Sequence, residues 1–399
     1  MTRIALRHLI RYRRGRSRLQ ARRESVVVPP ATIGSAPEFA SPVERYDAGR
    51  TATHRPSICN APSTNLYFAA DGAVGPCWIQ MGERWGPDRS IRDVWTGAML
   101  SNLRSTLAEH QFPGACGRCL HDIEAGVAPL AAVYDREPGI IAWPTSLELE
   151  LSNLCNFECV MCNGDLSSKI RRNREHRPPL EVPYDDSFVE QLVELIPTLQ
   201  QVRFSGGEPL LHPILYKVCD RIIELRPDLR IDVSTNGSIL NEKVRRLIER
   251  ATIQINISFE SLRADRYEAI RVGSDHQRLL ENIETFRELV RPNGGLVTIN
   301  TNPMRETWSE MADMVRFCDE RDLHLSFNTV IQPAELSLRT LSGAELEAIH
   351  GLLAAEDLGA AASPAARWNH VQYDNFVGQV AAWAVEAGGQ LVAVRRGPA

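Results

Sequence analysis

From residue 145 onward the sequence alternates six short strand-like runs with amphipathic helical stretches, and that alternation leaves few folds open. The runs are Ser146–Leu151, Gln201–Ser205, Arg230–Ser234, Ile253–Phe259, Val297–Thr301 and His324–Asn328. Helical periodicity fills 186–199, 212–226, 240–250, 276–291 and 308–321. Strands that alternate with helices predict a parallel sheet with right-handed crossovers. Parallel strands covered on both faces usually read as unbroken apolar runs. These do not. Leu147, Leu149 and Leu151 stand opposite Glu148 and Glu150, and Val202 and Phe204 opposite Arg203 and Ser205. Ile231 and Val233 oppose Asp232 and Ser234, and the last three runs alternate in the same way. The helices need the apolar face, so the other face of every strand is polar. The fold class this predicts is α/β: a partial (β/α)6 barrel of TIM type, with a hydrophilic lumen in place of a side-chain-filled core. An open sheet with one solvated face is the alternative.

The flanking regions differ in texture. The first 24 residues carry nine arginines against the single acid Glu24, so residues 1–55 read as a basic, disordered segment followed by a Pro/Ala/Ser-rich linker. Residues 56–130 hold short elements, Gly/Pro turns and four cysteines, as a small metal-stapled module would. The barrel is expected over 145–335 and a helical C-terminal segment over 336–399, with helices near 343–357 and 366–385. Arg13 and Arg14 are followed by no apolar stretch, and no run of about 18 apolar residues exists, so export and a membrane span are not expected and the chain reads as cytoplasmic. Net charge is −5 although the amino terminus is basic, which argues against a nucleic-acid partner.

Nine cysteines are many for a reducing compartment, where spaced sets point to metal or redox chemistry rather than disulfides. Cys155, Cys159 and Cys162 lie in one loop directly after the first strand. Thiolates suit iron–sulfur clusters or zinc, and three of them leave one iron of a four-iron cube without a protein ligand. Strand C-terminal ends are also where α/β barrels place their active sites. Cys59, Cys77, Cys116 and Cys119 form a second set, with Asp71–Cys77 reading as a hairpin turn and Cys116-Gly-Arg-Cys119 as a knuckle. Four thiolates make a closed site.

The CxxxCxxC loop resembles the signature of the radical S-adenosylmethionine (radical SAM) superfamily. Further motifs fall at successive strand ends: Gly206-Gly207-Glu208-Pro209, Ser234-Thr235-Asn236-Gly237, Ser258-Phe-Glu260 and Asn300-Thr-Asn-Pro-Met304-Arg305. The resemblance implies a [4Fe–4S] cluster on Cys155, Cys159 and Cys162 whose open iron binds SAM. One electron, from a donor such as flavodoxin or ferredoxin, would cleave SAM to a 5′-deoxyadenosyl radical that takes hydrogen from a substrate C–H bond. It also implies SAM contacts: Gly206, Gly207, Glu208 and Pro209 at the amino group, Ser234, Thr235 and Asn236 beside them, and Ser258 and Glu260 near the ribose, with Glu in place of the commoner Asp. Met161, Asn300, Met304 and Arg305 would border adenine and the methionine carboxylate. The four earlier cysteines, with Ser90–Trp95 between them, resemble SPASM/twitch modules, which implies an auxiliary [4Fe–4S] cluster, with zinc as the alternative occupant. The module precedes the barrel here, where relatives usually carry it after.

Glu148, Glu150, Arg203 and Asn328 are the substrate-facing candidates, internal ion pairing being the competing reading. Cys219 and Cys318 are expected to be packing residues, Trp78, Trp85 and Trp95 the core of the small module, and Arg171–Arg174 a solvated helix face. A peptide is the expected substrate, as in ribosomal-peptide maturation. An aminocyclitol or sugar-like metabolite undergoing dehydrogenation or epimerisation is the second reading. A non-catalytic iron–sulfur or zinc protein is the third.

Overall fold

The computed structural model describes residues 41–86, 88–126, 129–136 and 143–388, so most of the basic segment and linker expected at 1–55 lies outside the described residues. All six strand runs are present: β4 (Ser146–Glu150), β5 (Gln201–Ser205), β6 (Arg230–Thr235), β7 (Ile253–Ser258), β8 (Leu296–Thr301) and β9 (His324–Phe327). They pair parallel in sequence order. Their apolar faces are buried, Leu147, Phe204, Ile231, Ile257 and Ile299 to within 1%. These residues share one core with Leu215, Ile222, Leu247, Phe286 and Val315 from the intervening helices. Cys219 and Cys318 lie in that core, fully buried, as packing residues do.

The sheet is longer than the barrel alone. β1 (Asn65–Phe68), from the cysteine-rich region, lies parallel to β4, with Asn65 opposite Ser146 and Phe68 opposite Leu149. β2 (Ala73–Gly75) adds antiparallel to β1 and β3 (Glu83–Arg84) antiparallel to β2, giving the order β3-β2-β1-β4-β5-β6-β7-β8-β9. The β1–β2 hairpin turns at Asp71-Gly72, where Gly72 takes φ +87° and Asp71 Oδ1 accepts from Ala73 N, and it delivers Cys77 just beyond β2. Ser90–Trp95 is a helix start: Ser90 and Asp93 form a capping box and Trp95 is fully buried beneath it. Trp85 is buried too, against Tyr184 and Phe188. Trp78 departs from the expected core set: it is 50% exposed. Part of the expected linker is ordered, with Pro42–Ala48 helical and Arg50 holding Asp135 at 2.7 Å.

The order does not close on itself, as in a partial barrel, and both edges are protected. β3 is only two residues long. At the other edge the C-terminal helix Pro364–Glu386 covers β9, with Phe376 stacked on Phe327. Asn369 Oδ1 accepts from Leu325 N at 2.7 Å, its Nδ2 donates to Leu323 O, and Trp368 Nε1 donates to Leu325 O. These bonds replace a missing neighbour strand. Asn369→Ala is expected to lower stability by about 2 kcal/mol, read as a lower urea midpoint at unchanged slope.

Candidate active site at the C-terminal edge of the sheet

Because the strands are parallel, the loops after β4 to β8 all emerge at one edge, and the expected motifs meet there. The cysteine loop is built on its own backbone. Asn153 Nδ2 donates to Gly164 O at 2.9 Å and Asn153 O accepts from Ser168 N at 2.7 Å. Ser168 Oγ accepts from Cys155 N, and Ser167 Oγ donates to Phe157 O. Asn153, Ser167 and Ser168 carry no motif signal; their polarity just outside a cysteine set is the only clue the sequence offers. The arginine run packs here as well. Arg171 is buried, donating to Asp165 Oδ1 and Pro178 O, so only the rest of 171–174 is the solvated face expected.

The paired glycines act through close approach. A Cβ on Gly207 would stand 2.3 Å from Leu154 O, and one on Gly206 2.9 Å from Ser152 O. Their absence lets Gly207 N and Glu208 N donate to Ser152 O and Leu154 O at 3.1 and 2.7 Å, locking this turn against the cysteine loop. The Glu208 carboxylate turns inward, accepting from Thr235 Oγ1 and Asn236 N at 2.8 Å and from Leu210 N. It ties the ends of β5 and β6 together. Burial pushes its pKa up to about 7 against the hydrogen bonds that hold it down. A raised carboxyl binds its proton more tightly when folded, so its contribution is complete below about pH 4.5 and is lost as pH rises through about 7. Glu208→Gln is expected to flatten the fall in stability over that window, measured as urea midpoints at both ends.

Asn236 Nδ2 donates to Asn156 Oδ1, and Asn156 Nδ2 to Ser238 Oγ, pinning the residue after the first cysteine to the third motif. Met161 packs with Met304, Ile270 and Val330 in an apolar patch beside the loop. Ser258 and Asn300 stand side by side in register. Arg305 instead reaches outward to Ser337 O and Thr340, anchoring the C-terminal segment. Glu260 is fully buried and clasped by Arg271 and Asn302.

Burial raises all three loop thiols, Cys162 to about 12, with neighbouring thiols adding at Cys155 and Cys162 and Glu260 adding at Cys159. Three clustered sulfurs become thiolate ligands only beside strong positive charge, which iron supplies. The donor set therefore fits a cluster.

Cys59, Cys77, Cys116 and Cys119 also come together, each thiol raised chiefly by burial and all but Cys119 also by a neighbouring thiol, Cys59 and Cys116 to about 12. Among the described residues no three or more His, Cys, Asp or Glu side chains converge on a single metal ion, which is a different arrangement from sulfurs spread over the corners of a cluster. The second set touches the sheet's polar face. Cys77 packs on Tyr134, whose hydroxyl donates to Glu148 Oε1 at 2.7 Å, and Asn65 Nδ2 bridges Pro76 O and the same carboxylate.

On that face Tyr67, Glu148, Arg203, Asp232 and Gln254 stand in one row across β1 and β4–β7. Glu148 is buried and pairs with Arg203 at 3.4 Å, so it is an internal partner. Glu150 lies one row nearer the cysteine loop, bonded to Tyr67 and raised chiefly by burial. Asn328 is exposed beyond β9.

The family model for the radical SAM superfamily matches residues 149–318, and that for the SPASM iron–sulfur cluster-binding domain matches residues 59–120. Among curated proteins, GTP 3′,8-cyclase of Listeria monocytogenes is 29% identical over 185 residues, covering 45% of this chain and 52% of the relative. That of Streptomyces coelicolor is 28% identical over 189 residues, covering 46% and 52%. The chain thus spans about half the length of these relatives. Among solved structures, SuiB of Streptococcus suis aligns at 16% identity and TM-score 0.41, covering 64% of this chain and 50% of that one. The two domain models bring a SAM-bound [4Fe–4S] cluster and an auxiliary iron–sulfur cluster, and none of the described helices is long and apolar enough to cross a membrane. Residues 149–318 thus match the radical SAM superfamily, with the match to the SPASM-type iron–sulfur module lying ahead of them at 59–120.

Proposed function

We propose that this enzyme cleaves SAM reductively and abstracts hydrogen from an unactivated C–H bond of a peptide substrate. The observation that carries the reading is the single loop after β4 that gathers Cys155, Cys159 and Cys162 at the sheet edge, locked to Gly206-Gly207. When bound there, the cluster supplies the electron that breaks the SAM sulfur–carbon bond. The chain's own residues do the positioning. Gly207 and Glu208 fix the loop, Met161 and Met304 offer an apolar wall, and the row of polar side chains beneath gives the substrate a hydrogen-bonding floor. Glu150 and Tyr67 are the groups on that floor placed to hold or move a proton. Cys59, Cys77, Cys116 and Cys119 would hold the auxiliary cluster, and a flavodoxin- or ferredoxin-type protein would deliver the electron. The SPASM-type module supports a peptide, because enzymes that resemble this one use such modules in peptide maturation.

Anaerobically reconstituted protein is expected to contain about eight iron atoms per chain. About four iron atoms with one zinc would assign the second cysteine set to zinc. The substrate is tested with a deuterated peptide encoded beside the gene: deuterium entering 5′-deoxyadenosine supports the reading. Transfer from an aminocyclitol, or from GTP, with none from peptides overturns the peptide assignment and leaves the radical chemistry standing.

A further inference from the structure

Cys159 faces a buried guanidinium. Glu158 N and Val160 N, on either side of it, donate to Val272 O and Ile270 O, both at 2.9 Å. Residues 270 and 272 flank Arg271, so these two bonds clamp the cysteine and the arginine opposite each other. Arg271 is 8% exposed and follows the helix Ala264–Ile270. Its Nε and Nη2 are taken by Glu260, with Nε at 2.5 Å from Oε2, and Asn302 Nδ2 holds the same carboxylate at 2.8 Å. The remaining arm, Nη1, donates to Cys159 Sγ at 3.7 Å. A planar fork held on two points cannot swing away from its third. An arginine guanidinium is always charged in a protein, so the arm is cationic.

We infer that Arg271, aimed by Glu260 and Asn302, is a positioning residue that raises the reduction potential of the cluster held by Cys155, Cys159 and Cys162. A donor on a ligating sulfur withdraws electron density and favours the reduced cluster. The carboxylate neutralises the charge seen from afar, but the local dipole still points its positive end at the sulfur. The inference rests on the cluster assignment above and gives Glu260 a role other than binding ribose.

The test is an EPR-monitored redox titration of the signal that responds to added SAM, in wild-type protein, Arg271→Lys, and the double variant Arg271→Met/Glu260→Gln. The double variant removes both charges, so neither stays buried alone. With wild-type iron content, its midpoint should shift to more negative potential, with the lysine variant in between. In wild-type protein labelled with 15N-arginine, the same signal should show weak 15N coupling, which keeps the test decisive where a variant does not take up iron. Unshifted midpoints in iron-replete variants, or no 15N coupling, overturn the inference alone. No SAM-responsive signal in the wild type overturns the cluster assignment and this inference with it.

Discussion

Replacing Cys155, Cys159 and Cys162 together with alanine is expected to cut iron from about eight to about four atoms per chain and to abolish 5′-deoxyadenosine formation under reductant. The loss should be complete because these are the only thiols in their loop, and the loop's backbone bonds do not depend on them. The fold should survive, since Asn153, Ser167 and Ser168 hold the loop through backbone groups. Anaerobic iron analysis and chromatography of the nucleoside products check both halves. Persistent 5′-deoxyadenosine would detach the activity from this loop.

The second large effect needs only one methyl group. Gly207→Ala would set a Cβ 2.3 Å from Leu154 O and 2.7 Å from Asn153 C, both backbone atoms that no rotamer change relieves. The cysteine loop and the glycine turn must then separate by roughly 1 Å, and a misplacement of that size costs on the order of 100-fold in rate. The expected result is a fall of that size in 5′-deoxyadenosine formation, with circular dichroism unchanged. Gly351→Ala is the control. It sits within the helix Gly343–Ala354 with nothing within 4 Å of the added carbon, and should leave turnover unchanged. Equal behaviour of the two variants would mean that the close approach does not position the loop.

Much of this architecture was legible in the sequence because period and position carry it. Alternation of Leu147–Leu151 or Ile253–Phe259 specifies which face meets the helices, and a CxxxCxxC loop at a strand end is hard to produce otherwise. Less legible were the features set by tertiary partners. Glu208 reads as part of a ligand turn, yet Thr235 and Asn236 claim its carboxylate. Glu260 stands where a ribose contact is expected, yet Arg271, eleven residues on, clasps it. No periodicity announces that pairing, because Arg271 lies past the end of a helix and meets Glu260 through the fold. β1 was also hidden: Asn-Leu-Tyr-Phe is short, and its pairing with β4 spans 81 positions, from Asn65 to Ser146. Trp78 reads as core and lies outside because the chain turns there to present Cys77. Asn369 looks like an ordinary polar helix residue until β9 is placed against it.

All of these assignments depend on an iron in the Cys155 loop that the protein leaves free for SAM. The most direct measurement is electron–nuclear double resonance on the reduced enzyme with SAM labelled with 17O in its carboxylate and 15N in its amino group. Strong hyperfine coupling from both nuclei to the SAM-responsive cluster is the expected result. A cluster that forms on these cysteines but shows neither coupling would contradict it.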